Sequence, residues 1–396
     1  MLFILIYENR RAQRKLSMIL RNSSSLPRAL KSLFVIVGII IGSWVSRIPD
    51  ITTQLSLTVL TFSWILFARG ISQAFFFPVT AWLLHKFGAV KTSFISGFVI
   101  IISLPLYSLT INWIGLLLLF VLIAGFFGSF DISINSLGAE YEKHFEQPII
   151  TSLHAWFNVG NFGAAFLGSL FIWLQTPVII HYSIITSILL IVLYLTNKII
   201  SQSDLKVTNL EKKQFSLPKG SLILLGLILF IGAIIEGSVG NWIPLYYEAD
   251  LTNNTTIISI GYTFYSGAML IGRFLGDHIR KKIGLKLTLK MGLILGAVGL
   301  TICVLFANVW LVSAGFIIAG LGISVVFPLI FLIAGKINSM AIASVATMSY
   351  VGYIIAPILI GFISETSSIK HGFIAMSVCA FLMVLIAQFS TEINKE

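Results

Sequence analysis

The chain has 396 residues, 57% hydrophobic and 10% charged, with a formal net charge of +11. About a quarter of a soluble domain's residues are charged, so too few polar side chains are present to cover a water-facing surface, and a soluble globular protein is excluded. Apolar runs of the roughly 20 residues needed to cross a bilayer recur along the whole length. The short alternating segments of a barrel are absent, so the sequence predicts an all-α polytopic membrane protein.

Residues 1–29 begin MLFILIYENRRAQRKL. The apolar run is short and precedes its charges, the reverse of a secretory signal. The segment reads as a basic cytosolic arm touching anionic lipid, with Met18 as an alternative start to Met1. Twelve spans follow, at roughly 30–47, 56–84, 92–110, 113–137, 151–174, 179–198, 220–246, 256–277, 286–306, 309–334, 339–364 and 371–390. Residues 199–219, ISQSDLKVTNLEKKQFSLPKG, are too short to bury a core. They read as a cytosolic linker between bundles at 30–198 and 220–390, and 391–396 as a cytosolic tail. The connections on one side carry most of the Lys and Arg, while the other side has only Arg47 and Lys370. The positive-inside rule therefore places both termini in the cytosol.

The two bundles echo each other. GSWVSRIP (42–49) matches GSVGNWIP (237–244) and AGFFG (124–128) matches AGLGI (319–323), each at an offset of 195. HKFG (85–88) stands against KKIG (281–284) at 196, and SLHAWFNVG (152–160) against SVATMSYVG (344–352) at 192. Four matches in order at nearly constant offset imply a parallel six-plus-six repeat.

Twelve spans, a long central connection and parallel halves resemble the Major Facilitator Superfamily. The stretches SWVSRIPDI (43–51), DISINSLGAEYEKHFEQPIITSLHAWFNVG (131–160), EGSVGNWIPLYY (236–247) and GRFLGDHIRKKIG (272–284) are similar to its fucose-permease-like branch and to bacterial permeases of the YbjJ type. The resemblance implies two pseudo-symmetric six-helix bundles around a midplane site in a bacterial inner membrane. Where the superfamily's second loop has Asp, this chain has His85, while the second-half copy keeps Asp277. The Gly-Pro signature of many drug antiporters is missing from NVGNFGAAFLGS.

Ionisable groups deep in spans cost about 2.5 kcal/mol or more each and need a cavity or a partner. Glu236, the only ionisable side chain between Ser221 and Tyr246, is flanked by Gly232 and Gly240 on one helix face. It reads as a protonatable coupling group, a substrate acceptor, or a permanently protonated helix clamp. Asp131 and Asn135 on span four, and His154 and Asn158 on span five, form polar stripes that can face each other, either as a titratable site or as a structural clamp. Arg69 in span two calls for a carboxylate partner or an anionic ligand. Arg273 and Asp277, at i,i+4, form an expected ion pair at the inner gate, with a snorkelling Arg and a helix-end Asp as the alternative. Asn241 lies towards the outer end of span seven. Tyr262 and Tyr265, and Tyr350 and Tyr353, are spaced to share faces, either on a cavity or in packing.

No Walker loop, metal-ligand spacing or nucleophile–base set is present, so no enzyme, cofactor or metal is expected. Cys303 and Cys379 read as packing residues. The basic residues serve topology rather than nucleic acid. The expected function is alternating-access transport of a small polar solute coupled to protons, by a monomer, with sugar favoured by the resemblance. The alternatives are an exporter of the same fold and, more remotely, a receptor or scaffold without transport.

Overall fold

Every regular element among the described residues is helical, and the first crosses from Ser25 to Ser46 (α1). The computed structural model describes residues 25–203, 205 and 216–395. Most of the predicted N-terminal arm, and the middle of the predicted linker, lie outside the described residues.

A short helix, α2 (Ile48–Gln54), bends 115° from α3 (Val59–Phe75), which leads into α4 (Phe77–Ser108). The backbone at Phe76 stays helical, with φ −82 and ψ −6. The chain turns instead at Gly88, with φ 74 and ψ 167. Span two is thus residues 59–87 and span three 89–108. Helices α5 (Trp113–Phe145), α6 (Ile150–Trp173) and α7 (Val178–Ser201) are spans four to six. Helices α8 (Leu222–Asp250), α9 (Thr255–Ile283) and α10 (Leu285–Leu305) are spans seven to nine. Span ten is α11 (Val309–Ile323) with α12 (Val326–Ile337). Helices α13 (Ser339–Thr366) and α14 (Ile369–Phe389) complete the twelve, followed by a four-residue α15 (Thr391–Asn394). Span four runs to Phe145, beyond the predicted 137, because EYEKHF continues the helix above the apolar run.

Side-chain oxygens stop the connections from unravelling. Asn112 accepts from the Gly115 amide at 2.8 Å, and Asn254, Asn308, Asn338 and Ser368 cap their helices in the same way. Each satisfies an amide that a helix start leaves without a partner.

The helix pairings repeat between the halves. Spans three and four pack together, as do nine and ten; two with four matches eight with ten, and three with six matches nine with twelve. The glycines explain why the sequence repeat is visible. A Cβ on Gly160 would strike the Val35 carbonyl, and one on Gly352 would strike the Phe230 carbonyl. These are the same span-one-to-five and span-seven-to-eleven approach at equivalent positions. Gly88 and Gly284 both hold positive φ, 74° and 85°, in the tight turns after spans two and eight.

The halves meet through spans two and eleven and through spans five and eight, a pairing that a two-fold rotation interchanges. At the end away from the basic loops the first contact is close. Glu365 Oε2 accepts from the Leu60 amide at 3.1 Å, Gly361 lies against Ser63 and Trp242, and the Phe62 and Trp242 rings sit 5.8 Å apart.

Arg47, one of the two basic residues on the side opposite the basic loops, is buried, at 2% exposure. Its Nε donates to His181 Nδ1 at 3.2 Å and its Nη2 to the Thr176 carbonyl at 2.8 Å, with Asp50 at 3.5 Å. A guanidinium so surrounded ties the end of span one to the loop before span six, and it is withdrawn from the surface charge of that face.

Candidate functional site

At mid-depth between the halves lies a cavity of about 320 Å³. Spans one to five line it from one side and spans seven, eight and eleven from the other. The repeat is legible in its wall. Ile41 and Glu236, matched at an offset of 195, both face it, as do Asn161 and Tyr353, matched at 192. One symmetric position therefore carries an apolar side chain in the first half and a carboxyl in the second.

Glu236 does not stand alone. Arg273, on span eight, brings Nη2 to 3.5 Å from Glu236 Oε1. The Tyr353 side chain faces the same cavity beside that carboxylate. About a fifth of each charged side chain is accessible, 21% for Glu236 and 18% for Arg273, and Glu236 lines the cavity with Arg273 behind it. The expected Arg273–Asp277 pair is replaced. Asp277 pairs with Arg280 at 3.2 Å on the exposed end of the same helix. The physical reason is depth: Arg273 is a full turn farther into the bilayer, where the carboxylate of span seven is nearer than water.

Arg69 lines the opposite wall. Its guanidinium carbon lies 5.0 Å from the centre of the Phe127 ring and 5.9 Å from that of Phe120. No carboxylate pairs with it among the described residues. Cation–π contact supplies about 0.5–2 kcal/mol, against the ~2.5–3.5 kcal/mol for arginine at mid-membrane. The aromatic box alone therefore does not offset the charge.

Of the other predicted residues, Asn158, Asn241, Tyr262 and Tyr265 line the cavity. Asn161 and Tyr262 clasp across the halves, with Asn161 Nδ2 donating to the Tyr262 hydroxyl at 3.0 Å and that hydroxyl within 3.1 Å of Asn161 Oδ1. Asp131, Asn135, His154 and Tyr350 are outside the cavity wall. Asn135 Nδ2 donates to Asp131 Oδ1 at 3.1 Å along span four. His154 is exposed, sits edge-on to Phe34 at 5.2 Å and lies within electrostatic reach of Arg273. Trp44, Tyr107, Phe120 and Phe127 complete the aromatic wall. Nothing in their sequence setting separates them from packing aromatics. No cluster of His, Cys, Asp and Glu among the described residues could hold a metal ion.

Twelve helical spans among the described residues, in two halves related by a two-fold exchange around a central cavity, are the architecture of a secondary transporter. The sequence model of the Major Facilitator Superfamily matches residues 32–337 and again 225–394, and the chain belongs to that superfamily. It is 28% identical over 370 residues to the uncharacterized transporter y4wD of Sinorhizobium fredii, covering 91% of this chain and 97% of that one. It is 25% identical over 333 residues to the cis,cis-muconate transport protein of Acinetobacter baylyi, covering 76% and 78%. The crystal structure of the fucose:proton symporter FucP of E. coli superposes with a TM-score of 0.61 at 15% identity, over 92% of this chain and 98% of that one.

Proposed function

We propose that this transporter moves a small polar solute together with protons across a bacterial inner membrane, with both termini in the cytosol. The bundles at 30–198 and 220–390 rock about the central cavity. The observation that carries the reading is Glu236 on the cavity wall beside Tyr353, paired with Arg273 of span eight. A carboxylate there is held by a cation on the neighbouring span. Protonation of Glu236 removes the attraction, so Arg273 and the wall of span eight gain freedom to move. Proton binding thereby acquires a different free energy in the two arrangements of the halves, the condition for any ligand to bias a conformational equilibrium.

A named fucose:proton symporter and a named muconate transport protein among the similar proteins support a small polar solute and agree with proton coupling. The test is proton-driven uptake into proteoliposomes, using solutes that raise the melting temperature of the purified chain. Glu236→Gln is expected to abolish accumulation driven by a pH gradient while retaining solute exchange at equal concentrations. Full accumulation by that variant would sink the coupling role.

A further inference from the structure

Arg69 is the charge in the cavity wall that nothing among the described residues balances. Glu236 is paired with Arg273 and lies beside Tyr353. Among the described residues Arg69 has neither a hydrogen bond nor a salt bridge, only the faces of Phe127 and Phe120 at 5.0 and 5.9 Å. A guanidinium presents five N–H donors in a plane and matches planar anionic groups in a bidentate manner. Two further donors of cavity-wall residues, the buried Trp44 Nε1 and Tyr265 Oη, also lack partners. At about 320 Å³ the cavity has room for roughly ten waters at ~30 Å³ each, far more than an inorganic ion displaces.

We infer that the cavity takes a small organic anion, its carboxylate or comparable planar anionic group seated on Arg69. The adjoining part of the ligand lies along Phe120 and Phe127, and its far polar groups face Asn241 and Tyr262. The inference rests on the cavity being the substrate site and adds the charge class of the substrate.

The experiment is equilibrium binding to the full chain in detergent, by thermal shift and calorimetry, with matched acids and neutral partners: nicotinate and nicotinamide, benzoate and benzamide, gluconate and glucose. Sodium chloride and sodium phosphate form the inorganic arm. At least one acid is expected to bind about tenfold or more tightly than its neutral partner. Arg69→Gln removes that preference, and Arg69→Lys, which keeps the charge and guards against a folding defect, retains part of it. The proposal is overturned if no acid exceeds its partner on the wild-type chain, or if the preference survives Arg69→Gln. Phosphate or chloride binding as tightly as every organic acid overturns the organic assignment. Anion binding dependent on Arg69 without proton-driven flux would remove the coupled-transport reading alone. Neutral-solute flux that is unaffected by Arg69→Gln would remove this inference alone.

Discussion

Arg273 shows how far an isolated residue can be read. Its place near the inner end of span eight was visible, but the helical i,i+4 rule paired it with Asp277 at an inner gate. The side chain instead crosses to Glu236 on the adjacent span, 3.5 Å away, a contact between segments 37 residues apart that helical spacing does not encode. Glu236 itself was legible because a lone carboxylate in an apolar run has few other uses. Trp44, Tyr107 and Phe120 were not, since an aromatic facing a cavity and one facing lipid look alike in sequence. The pair makes a stability prediction. Breaking a buried ion pair by removing one partner costs about 3–5 kcal/mol, and partial access to water reduces this. Arg273→Gln alone is expected to lower the melting temperature more than the double variant Glu236→Gln with Arg273→Gln. A double variant no more stable than the single would show that the two charges are not coupled.

Among the helices, the glycines carry the architecture. Gly160 and Gly352 let span five meet span one, and span eleven meet span seven, backbone to backbone. No rotamer change relieves a Cβ that strikes a carbonyl. Gly160→Ala and Gly352→Ala are each expected to destabilise by roughly 1–3 kcal/mol, the usual cost of overpacking. Gly163, with open space around its position, is the control, and Gly163→Ala should leave the melting temperature unchanged. Gly88 differs in kind. Its surroundings are empty but φ is 74°, so Gly88→Ala is expected to cost about 1–2 kcal/mol through backbone strain alone. Thermal denaturation of the four variants separates clash from strain. These same glycines carried much of the repeat pattern in the sequence, so the element order was largely readable. The break at Gly88 was readable as well, since the expected spans 56–84 and 92–110 leave His85, Lys86 and Lys91 around it.

For the whole molecule, the six-plus-six repeat gave the pairing of spans, but not which end of the cavity is closed. That depends on side chains meeting across the halves, such as Ser63 with Gly361 and the Leu60 amide with Glu365. A Cβ on Gly361 would strike Ser63, so Gly361→Ala is expected to keep this end from closing and to slow transport, with Ser63→Gly beside it restoring part of the rate. Undiminished transport by Gly361→Ala would show that this end does not need to close. The opening of the halves also has an electrical side. Moving one charge through 100 mV involves about 2.3 kcal/mol. Arg69 and Glu236 are the charged side chains lining the cavity among the described residues, and each stays with the protein. A monoanion on Arg69 accompanied by one proton on Glu236 adds no net charge to the loaded carrier. Such a cycle would answer to the pH difference across the membrane and be indifferent to its voltage.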